Sequence, residues 1–271
     1  MSRRNFNGAT VLVSGAGGGL GQAIALRFAA AGARLVLLDQ SAEGLAVTQA
    51  QIEAAGGQCL GLTCDVTNEK SCDNAVRAAV ERCGGLDVLV NNAGISHRSA
   101  FAATDPAVLR RVMEVNFFGA VNLTHCALPH LLRQRGAIVA ISSVAGFSPL
   151  IARTGYAASK HAMHGFFESL RTEVQPQGVD VTMVCPSFIA TRIDRSALGA
   201  NGKPASHAQV VIGRRLTPEQ VAERIHEGVE RRQRLLLIGK TAWQAWWLNR
   251  LAPSLYERLM AWRLRGEMQP D

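Results

Sequence analysis

Ala9-Thr10-Val11-Leu12-Val13-Ser14-Gly15-Ala16-Gly17-Gly18-Gly19-Leu20-Gly21 decides the fold. Its first five residues make a short apolar run of the kind that fills a strand buried on both faces. Glycines follow at once, and the residues from Gln22 to Ala31 predict a helix ended by Gly32. A pyrophosphate site needs strand, glycine turn and helix in that order. Glycine lets backbone approach phosphate, and the helix start offers free N–H groups with partial positive charge. Spaced glycines alone are weak evidence, so the next strand matters. Arg34-Leu35-Val36-Leu37-Leu38 runs into Asp39, about twenty residues further on, where a carboxylate accepts hydrogen bonds from an adenosine ribose. The simpler role for Asp39 is to cap the following helix. A carboxylate at this point repels the 2′-phosphate of NADP, and neither Gly18 nor Gln40 beside it supplies a compensating base, so NAD is favoured.

The alternation continues along the chain. Helices are predicted over 42–55 and 69–83, and strands over 58–63 and 86–90. Asp65, followed by Val66, stands just past the third strand, within reach of an adenine; Asn91-Asn92-Ala93-Gly94 closes the fourth. A long helix is predicted from the cap region Thr104-Asp105-Pro106 towards Leu132. Asn116 lies in its interior, where asparagine is a poor helix former; it either distorts the helix usefully or is tolerated. Further strands are predicted over 137–141, 179–185 and 235–238, with a helix over 156–173. Strands alternating with helices imply an α/β fold, a parallel sheet covered on both faces. Right-handed crossovers then place every strand's C-terminal end on one edge, where ligands bind. Gly15, Asp39, Asp65, Asn91, Ser143 and Pro186 all fall at or just beyond such ends.

Gly155-Tyr156-Ala157-Ala158-Ser159-Lys160 adds chemistry. Tyr156 and Lys160 are four residues apart and share a helix face. A fixed ammonium beside a tyrosine favours the phenolate, which makes the phenol a plausible acid and base. A serine hydroxyl on a nearby loop, Ser142 or Ser143, could hold the oxygen whose proton the tyrosine moves.

Composition sets bounds. In 271 residues, apolar content is 48% and charged content 18%, enough for a sizeable core. No apolar run reaches the ~20 residues of a spanning helix, and the first residues lack an apolar signal region, so the cytoplasm is the expected location. The six cysteines form no zinc-type pair and are expected to be reduced thiols. His161 and His164 have no accompanying ligand set, so no metal is expected. Net charge is +8, concentrated in a tail where arginines alternate with Trp243, Trp246, Trp247 and Trp262. Without a nucleic-acid motif, that charge does not indicate DNA or RNA binding.

In their order and spacing, Ser14-Gly-x-x-x-Gly19-x-Gly21, Asn91-Asn-Ala-Gly94, Asn116, Ser143 and Tyr156-x-x-x-Lys160 resemble the short-chain dehydrogenase/reductase family, over roughly residues 8 to 240. The resemblance implies a seven-stranded doubly wound Rossmann sheet and NAD(P)-dependent interconversion of alcohols and carbonyls. It implies Tyr156 as general acid and base, Lys160 as its electrostatic partner and ribose ligand, and Ser143, thirteen positions before Tyr156, as the residue orienting substrate. Asn116 would hold a water linking Lys160 to solvent. For the cofactor it implies Ser14, Gly15, Gly18, Gly19, Leu20 and Gly21 around the phosphates. Asp39, Asp65 and Val66 fall on the adenosine side. Asn92, Ala93 and Gly94 follow, with Asn91 and Ala93 along the adenosine-ribose side. Pro186, Ile189 and Thr191 approach the nicotinamide. Ser14 replaces the family's usual Thr, and Pro186-Ser187 its usual Pro-Gly. The helix containing Tyr156, and the segment Trp247 to Pro253, are similar to the branch holding the eleven-beta-hydroxysteroid dehydrogenases and the dehydrogenase/reductase member seven proteins. That branch implies a bulky lipophilic substrate.

The catalytic domain is expected over 1–240, with an amphipathic helical extension over 241–271. The loop over 191–216 reads as a lid, with Arg192, Arg195, Arg214 and Arg215 in it, or as a plain mobile connection. Thr217 and Gln220 predict a capping box. The tail has three readings: packing on the body or a partner subunit, resting on an anionic membrane surface, or closing over a substrate pocket. Helices carrying Asn116 and Tyr156 are the family's usual contact surface, implying a homodimer or homotetramer. A catalytically silent NAD-binding sensor or scaffold is the alternative from another class.

Overall fold

The computed structural model describes residues 3–191, 193, 196–205 and 209–268. Its first half runs β1 (Thr10–Ser14), α1 (Gly19–Ala30), β2 (Arg34–Asp39), α2 (Ala42–Ala54), β3 (Gln58–Thr63), α3 (Glu69–Cys83), β4 (Val88–Asn91), α4 (Pro106–Met113) and α5 (Gly119–Gln134). It continues with β5 (Ala137–Ile141), α6 (Thr154–Val174), β6 (Asp180–Pro186), α7 (Pro218–Glu230), β7 (Leu235–Ile238), α8 (Lys240–Leu251) and α9 (Pro253–Arg263). Arg192 and Arg195 lie outside the described residues.

The strands form a seven-stranded parallel sheet in the order β3-β2-β1-β4-β5-β6-β7. Period-two alternation sorts their side chains between two cores. Val11, Val13, Leu35, Leu37, Val88 and Val90 face α1 and α7, while Leu12, Val36, Leu38 and Leu89 face α3, α5 and α6. Both faces are therefore apolar, as the uninterrupted strand runs require.

Local signals end the helices where expected. Asn68 caps α3 by accepting the Ser71 N–H at 3.0 Å, and Gly84 ends it at φ 78. Thr217 and Gln220 form the capping box of α7. The helix predicted through 132 differs: it breaks at a π-helical turn, Glu114–Phe118, between α4 and α5. The reason is Asn116, 0% exposed, which bonds backbone outside the helix. Its Oδ1 accepts the Ile95 N–H at 2.8 Å, and its Nδ2 donates to the Ile95 carbonyl at 2.9 Å and to Ser159 Oγ at 3.0 Å. These bonds reward an extra residue in the turn.

The strand order reverses between β1 and β4, and the loops leaving them splay to opposite sides. Ser14 and Asn92 hold that division together. Ser14 Oγ accepts the Asn92 and Ala93 N–H groups, each at 3.0 Å, and Asn92 Nδ2 donates to the Ser14 carbonyl at 2.9 Å. One hydroxyl does this, so serine serves as well as threonine. We expect Ser14→Ala to lower unfolding free energy by about 1–3 kcal/mol, because two amides lose their acceptor. Ser14→Thr should stay within about 1 kcal/mol of the parent. Urea denaturation reads both, and an unchanged midpoint in Ser14→Ala would contradict this role.

Candidate active site

Above the β1–β4 division lies a cavity of about 1410 Å³, walled by the glycine turn, the ends of β4, β5 and β6, and the C-terminal helices. Two glycines make the turn possible. Gly15 sits at φ 66, and a Cβ on Gly21 would fall 2.0 Å from the Gly15 carbonyl oxygen. α1 starts at Gly19, earlier than the predicted Gln22, so the glycines themselves form the helix N-terminus. Its Gly18 cap has no side-chain hydrogen bond, and its first turn carries no acid. The first N–H groups thus remain available towards the cavity, which fits a pyrophosphate.

Asp39 ends β2 beside this turn. Its Oδ2 accepts the Gly17 N–H at 2.9 Å and its Oδ1 the Ser41 N–H at 2.9 Å. Helix α2 is capped by Ser41, whose Oγ accepts the Gly44 N–H at 3.1 Å. Asp39 is therefore not the cap. It lines the cavity with Gly17, Gly18, Ser41 and Glu43, a rim without a basic side chain at this end among the described residues.

At the opposite wall stand Ser143, Tyr156 and Lys160. Ser143 leaves β5 in extended conformation, and its Oγ accepts the Ala145 N–H at 3.2 Å. Ser142 is buried instead, its Oγ donating to the Lys160 carbonyl at 3.4 Å. Helix α6 starts at Thr154, which places Tyr156 in the first turn and Lys160 one turn deeper. Lys160 is 4% exposed, and its Nζ lies 5.8 Å from the centre of the Tyr156 ring. Nζ donates to the Ile141 carbonyl at 2.8 Å, with Met163 Sδ at 3.5 Å.

Burial holds the Lys160 ammonium well below the usual lysine range, at about 8, against a small opposing pull from Cys185. The groups packed behind it are neutral near pH 7. Burial pushes the Cys185 thiol up to about 12. The His164 ring, 3.4 Å from Cys185 Sγ, is pushed down by burial despite its contact with Glu168 at 3.1 Å. The ammonium's charge is therefore left to act on Tyr156.

The remaining predicted residues divide. Gly15, Gly18, Gly19, Leu20, Gly21, Asn92, Ala93, Gly94, Pro186, Ile189 and Thr191 all line the cavity. Ser14 lies beneath it, 1% exposed, as the clasp already described. Asn116 also supports from below. Asn91 departs from expectation: strand alternation turns it away from the cavity, and its Nδ2 donates to Thr124 Oγ1 at 2.9 Å in α5. Asp65 and Val66 stand outside the cavity wall. Asp65 Oδ1 accepts the Thr67 N–H at 2.9 Å and the Thr67 hydroxyl at 2.8 Å, and Val66 is buried.

Several contributors were not singled out from the sequence. Thr48 Oγ1 donates to the Ala16 carbonyl at 2.8 Å and supports the glycine turn from α2. Gly44 gives α2 its close approach to that turn, since a Cβ there would fall 2.4 Å from the Gly17 carbonyl oxygen. The connection over 191–216 is clasped to the body at several of its described residues. Leu198 N–H donates to the Ser96 carbonyl at 2.9 Å, and the Arg98 N–H donates to the Leu198 carbonyl at 2.7 Å. Of the three tail readings, the structure places α8 and α9 over the chain's own cavity. Trp247, Leu248, Leu251, Tyr256, Leu259 and Met260 form an apolar wall. Trp246 packs edge-on against Phe147 at 4.8 Å, and Asn249 Nδ2 donates to the Phe147 carbonyl at 2.8 Å. No helix among the described residues is long and apolar enough to cross a membrane.

A family model described as short chain dehydrogenase matches residues 9–201. Relatives called dehydrogenase/reductase SDR family member 7B are similar over nearly the whole chain. The Bos taurus protein is 40% identical, with 98% of this chain and 84% of the relative covered. The Xenopus tropicalis protein is 37% identical, with 96% and 86% covered. Among solved structures, a short chain dehydrogenase/reductase from Burkholderia phymatum in complex with NAD gives a TM-score of 0.84 at 27% identity, covering 93% of this chain and 96% of that one. A metagenomic short-chain oxidoreductase in complex with NADP gives 0.72 at 26% identity, covering 87% and 98%.

Lys160 costs stability in proportion to its burial. With a folded value of about 8 against 10.5 for a free lysine, the folded state binds fewer protons than the unfolded state between those pH values. Stability from this group therefore rises as pH climbs from about 8 to 10.5, and the penalty is full below 8. We expect Lys160→Met to gain roughly 1–3 kcal/mol at pH 7, after allowing for the lost bond to Ile141, and to flatten that pH slope. Chemical denaturation at several pH values checks this; an unchanged slope would contradict the buried-ammonium account.

Proposed function

The chain belongs to the short chain dehydrogenase family, and within it we propose an NAD-dependent oxidoreductase that interconverts a bulky apolar secondary alcohol and its ketone. One observation carries this reading: a single cavity joins the glycine turn and Asp39 at one end to Ser143 and Tyr156 at the other, under an apolar wall from the C-terminal helices. A bound nicotinamide dinucleotide supplies the hydride chemistry. The chain's own residues supply the rest. Gly15 to Gly21 and the start of α1 hold the pyrophosphate, and Asp39 takes the adenosine ribose. Asn92 to Gly94 line the middle of the cavity, and Pro186, Ile189 and Thr191 bound its nicotinamide end.

Ser143 Oγ orients the substrate oxygen. The Tyr156 hydroxyl gives that oxygen a proton in reduction, and the Tyr156 phenolate takes the proton from the alcohol in oxidation. Lys160, unneutralised from behind, stabilises the phenolate left on Tyr156. Asn116 keeps the π turn open beside Ser159, and we assign it the continuation of the proton path to solvent. Residues 1–240 form the catalytic body and 241–271 an extension that completes its cavity. Homodimers or homotetramers would form through α6 and the helices α4 and α5 that flank Asn116, where Phe118, the last residue of the π turn, is exposed. The outer face of the tail, with Trp243 and Trp262 exposed, suits peripheral lipid contact.

Tyr156→Phe tests the chemistry. Turnover should fall by about 10²-fold or more while NADH binding, read by fluorescence, is retained. Retained biological activity in that variant would move the protein to a silent NAD-binding sensor. Coenzyme choice is tested separately. NADH should bind at least about tenfold more tightly than NADPH, and Asp39→Asn, which removes the charge but keeps the shape, should narrow that gap. Equal affinities in the parent protein would overturn the NAD assignment.

A further inference from the structure

Glu267, near the end of the described chain, is 1% exposed. A buried carboxylate survives only when paired, and two buried guanidinium groups meet this one. Arg153 Nη2 donates to Oε2 at 3.1 Å, and Arg98 Nε stands 3.6 Å from the same oxygen. The Val210 N–H donates to Oε1 at 2.5 Å. Those partners come from separate parts of the chain. Arg98 follows β4 and is tied through its backbone to Leu198 in the lid. Arg153 immediately precedes α6 and lines the cavity a short step before Tyr156. Val210 belongs to the connection between β6 and α7.

The tail has modest apolar anchoring of its own. Helix α9 buries only Tyr256 among its residues, with Leu264 buried just beyond its end, and its Leu255 and Trp262 are 50% and 62% exposed. Apolar burial therefore does little to fix where α9 lies, and the Glu267 cluster ties the chain just beyond it to the lid and to the start of α6. We propose that Glu267 is a positioning residue for the substrate site. It latches the C-terminal helices down as a wall of the cavity, and so sets the preference for long apolar substrates. Next to the latch, His97 is 0% exposed, and burial together with Arg153 holds its ring down to about 4. A neutral imidazole there adds no third positive charge beside the two arginines. This inference rests on the oxidoreductase reading of the cavity for its substrate part, but the latch itself is observable without turnover.

The test compares the full chain with Glu267→Gln, Glu267→Asp and a chain lacking 265–271. In Glu267→Gln and the shortened chain, KM for a long-chain secondary alcohol should rise roughly tenfold or more relative to a short homologue, since wall contacts with the extra methylenes are lost. NADH affinity should stay within about twofold, because the glycine turn is untouched. Glu267→Asp should recover part of the preference, which general destabilisation would not do. Hydrogen exchange gives the second readout: amides of α9 and of Val210 should open together in the full chain and far faster in Glu267→Gln. Unchanged substrate preference with unchanged exchange would overturn the latch. If the full chain oxidises no alcohol, the oxidoreductase reading fails, and exchange alone still decides the latch. If the variants do not fold, independent opening of α9 and Val210 in the full chain overturns it, and joint opening supports it.

Discussion

Everything in this site depends on how the sheet is divided between β1 and β4. A parallel sheet apolar on both faces admits a polar ligand only past its strand ends, and only where neighbouring loops turn apart. Ser14 and Asn92 hold the diverging loops in register by satisfying one another's buried backbone groups. That clasp fixes Gly15 in its left-handed conformation and brings its carbonyl so close to Gly21 that no side chain fits there. The open start of α1, the position of Asp39 and the cavity floor at Asn92 to Gly94 all follow from it.

The other end of the cavity is governed by charge burial. Lys160 is placed one helical turn below Tyr156 in surroundings that do not neutralise it, with Cys185 kept as thiol and His164 as neutral imidazole. That arrangement is poor for stability and useful for stabilising a phenolate. Glu267 presents the opposite solution. There the carboxylate meets two arginines and a backbone amide, so its charge is paired within the cluster, which serves geometry rather than proton transfer.

The parts of this architecture that rest on local chemistry were legible in the sequence. Helix α3, with Asn68 before it and Gly84 after it, and β3 and β7 have the predicted bounds, because caps and apolar runs are written in neighbouring residues. The glycine turn, Asp39, Tyr156 and Lys160 were legible because each sits at a strand end or on a helix period, whereas the choice of Ser143 over its neighbour Ser142 came only from the family resemblance. Asn116 was marked as a residue that either distorts its helix or is tolerated, and the choice between the two was not legible, since the π turn depends on Ile95 and Ser159 from elsewhere in the chain. Asn91 was misread: which of two adjacent asparagines faces the cavity depends on where β4 ends. The Glu267 cluster left no local trace, because its bond to Arg153 joins residues 114 apart. Trp247 read as part of an amphipathic helical extension, while the surface that extension meets is set by the fold.

The most direct measurement is NAD-linked oxidation by the purified protein across secondary alcohols graded from small and polar to long or polycyclic and apolar, followed by NADH appearance. The account predicts turnover whose kcat/KM climbs with apolar bulk. NADH binding without turnover of any member, or turnover confined to small polar alcohols, would contradict it.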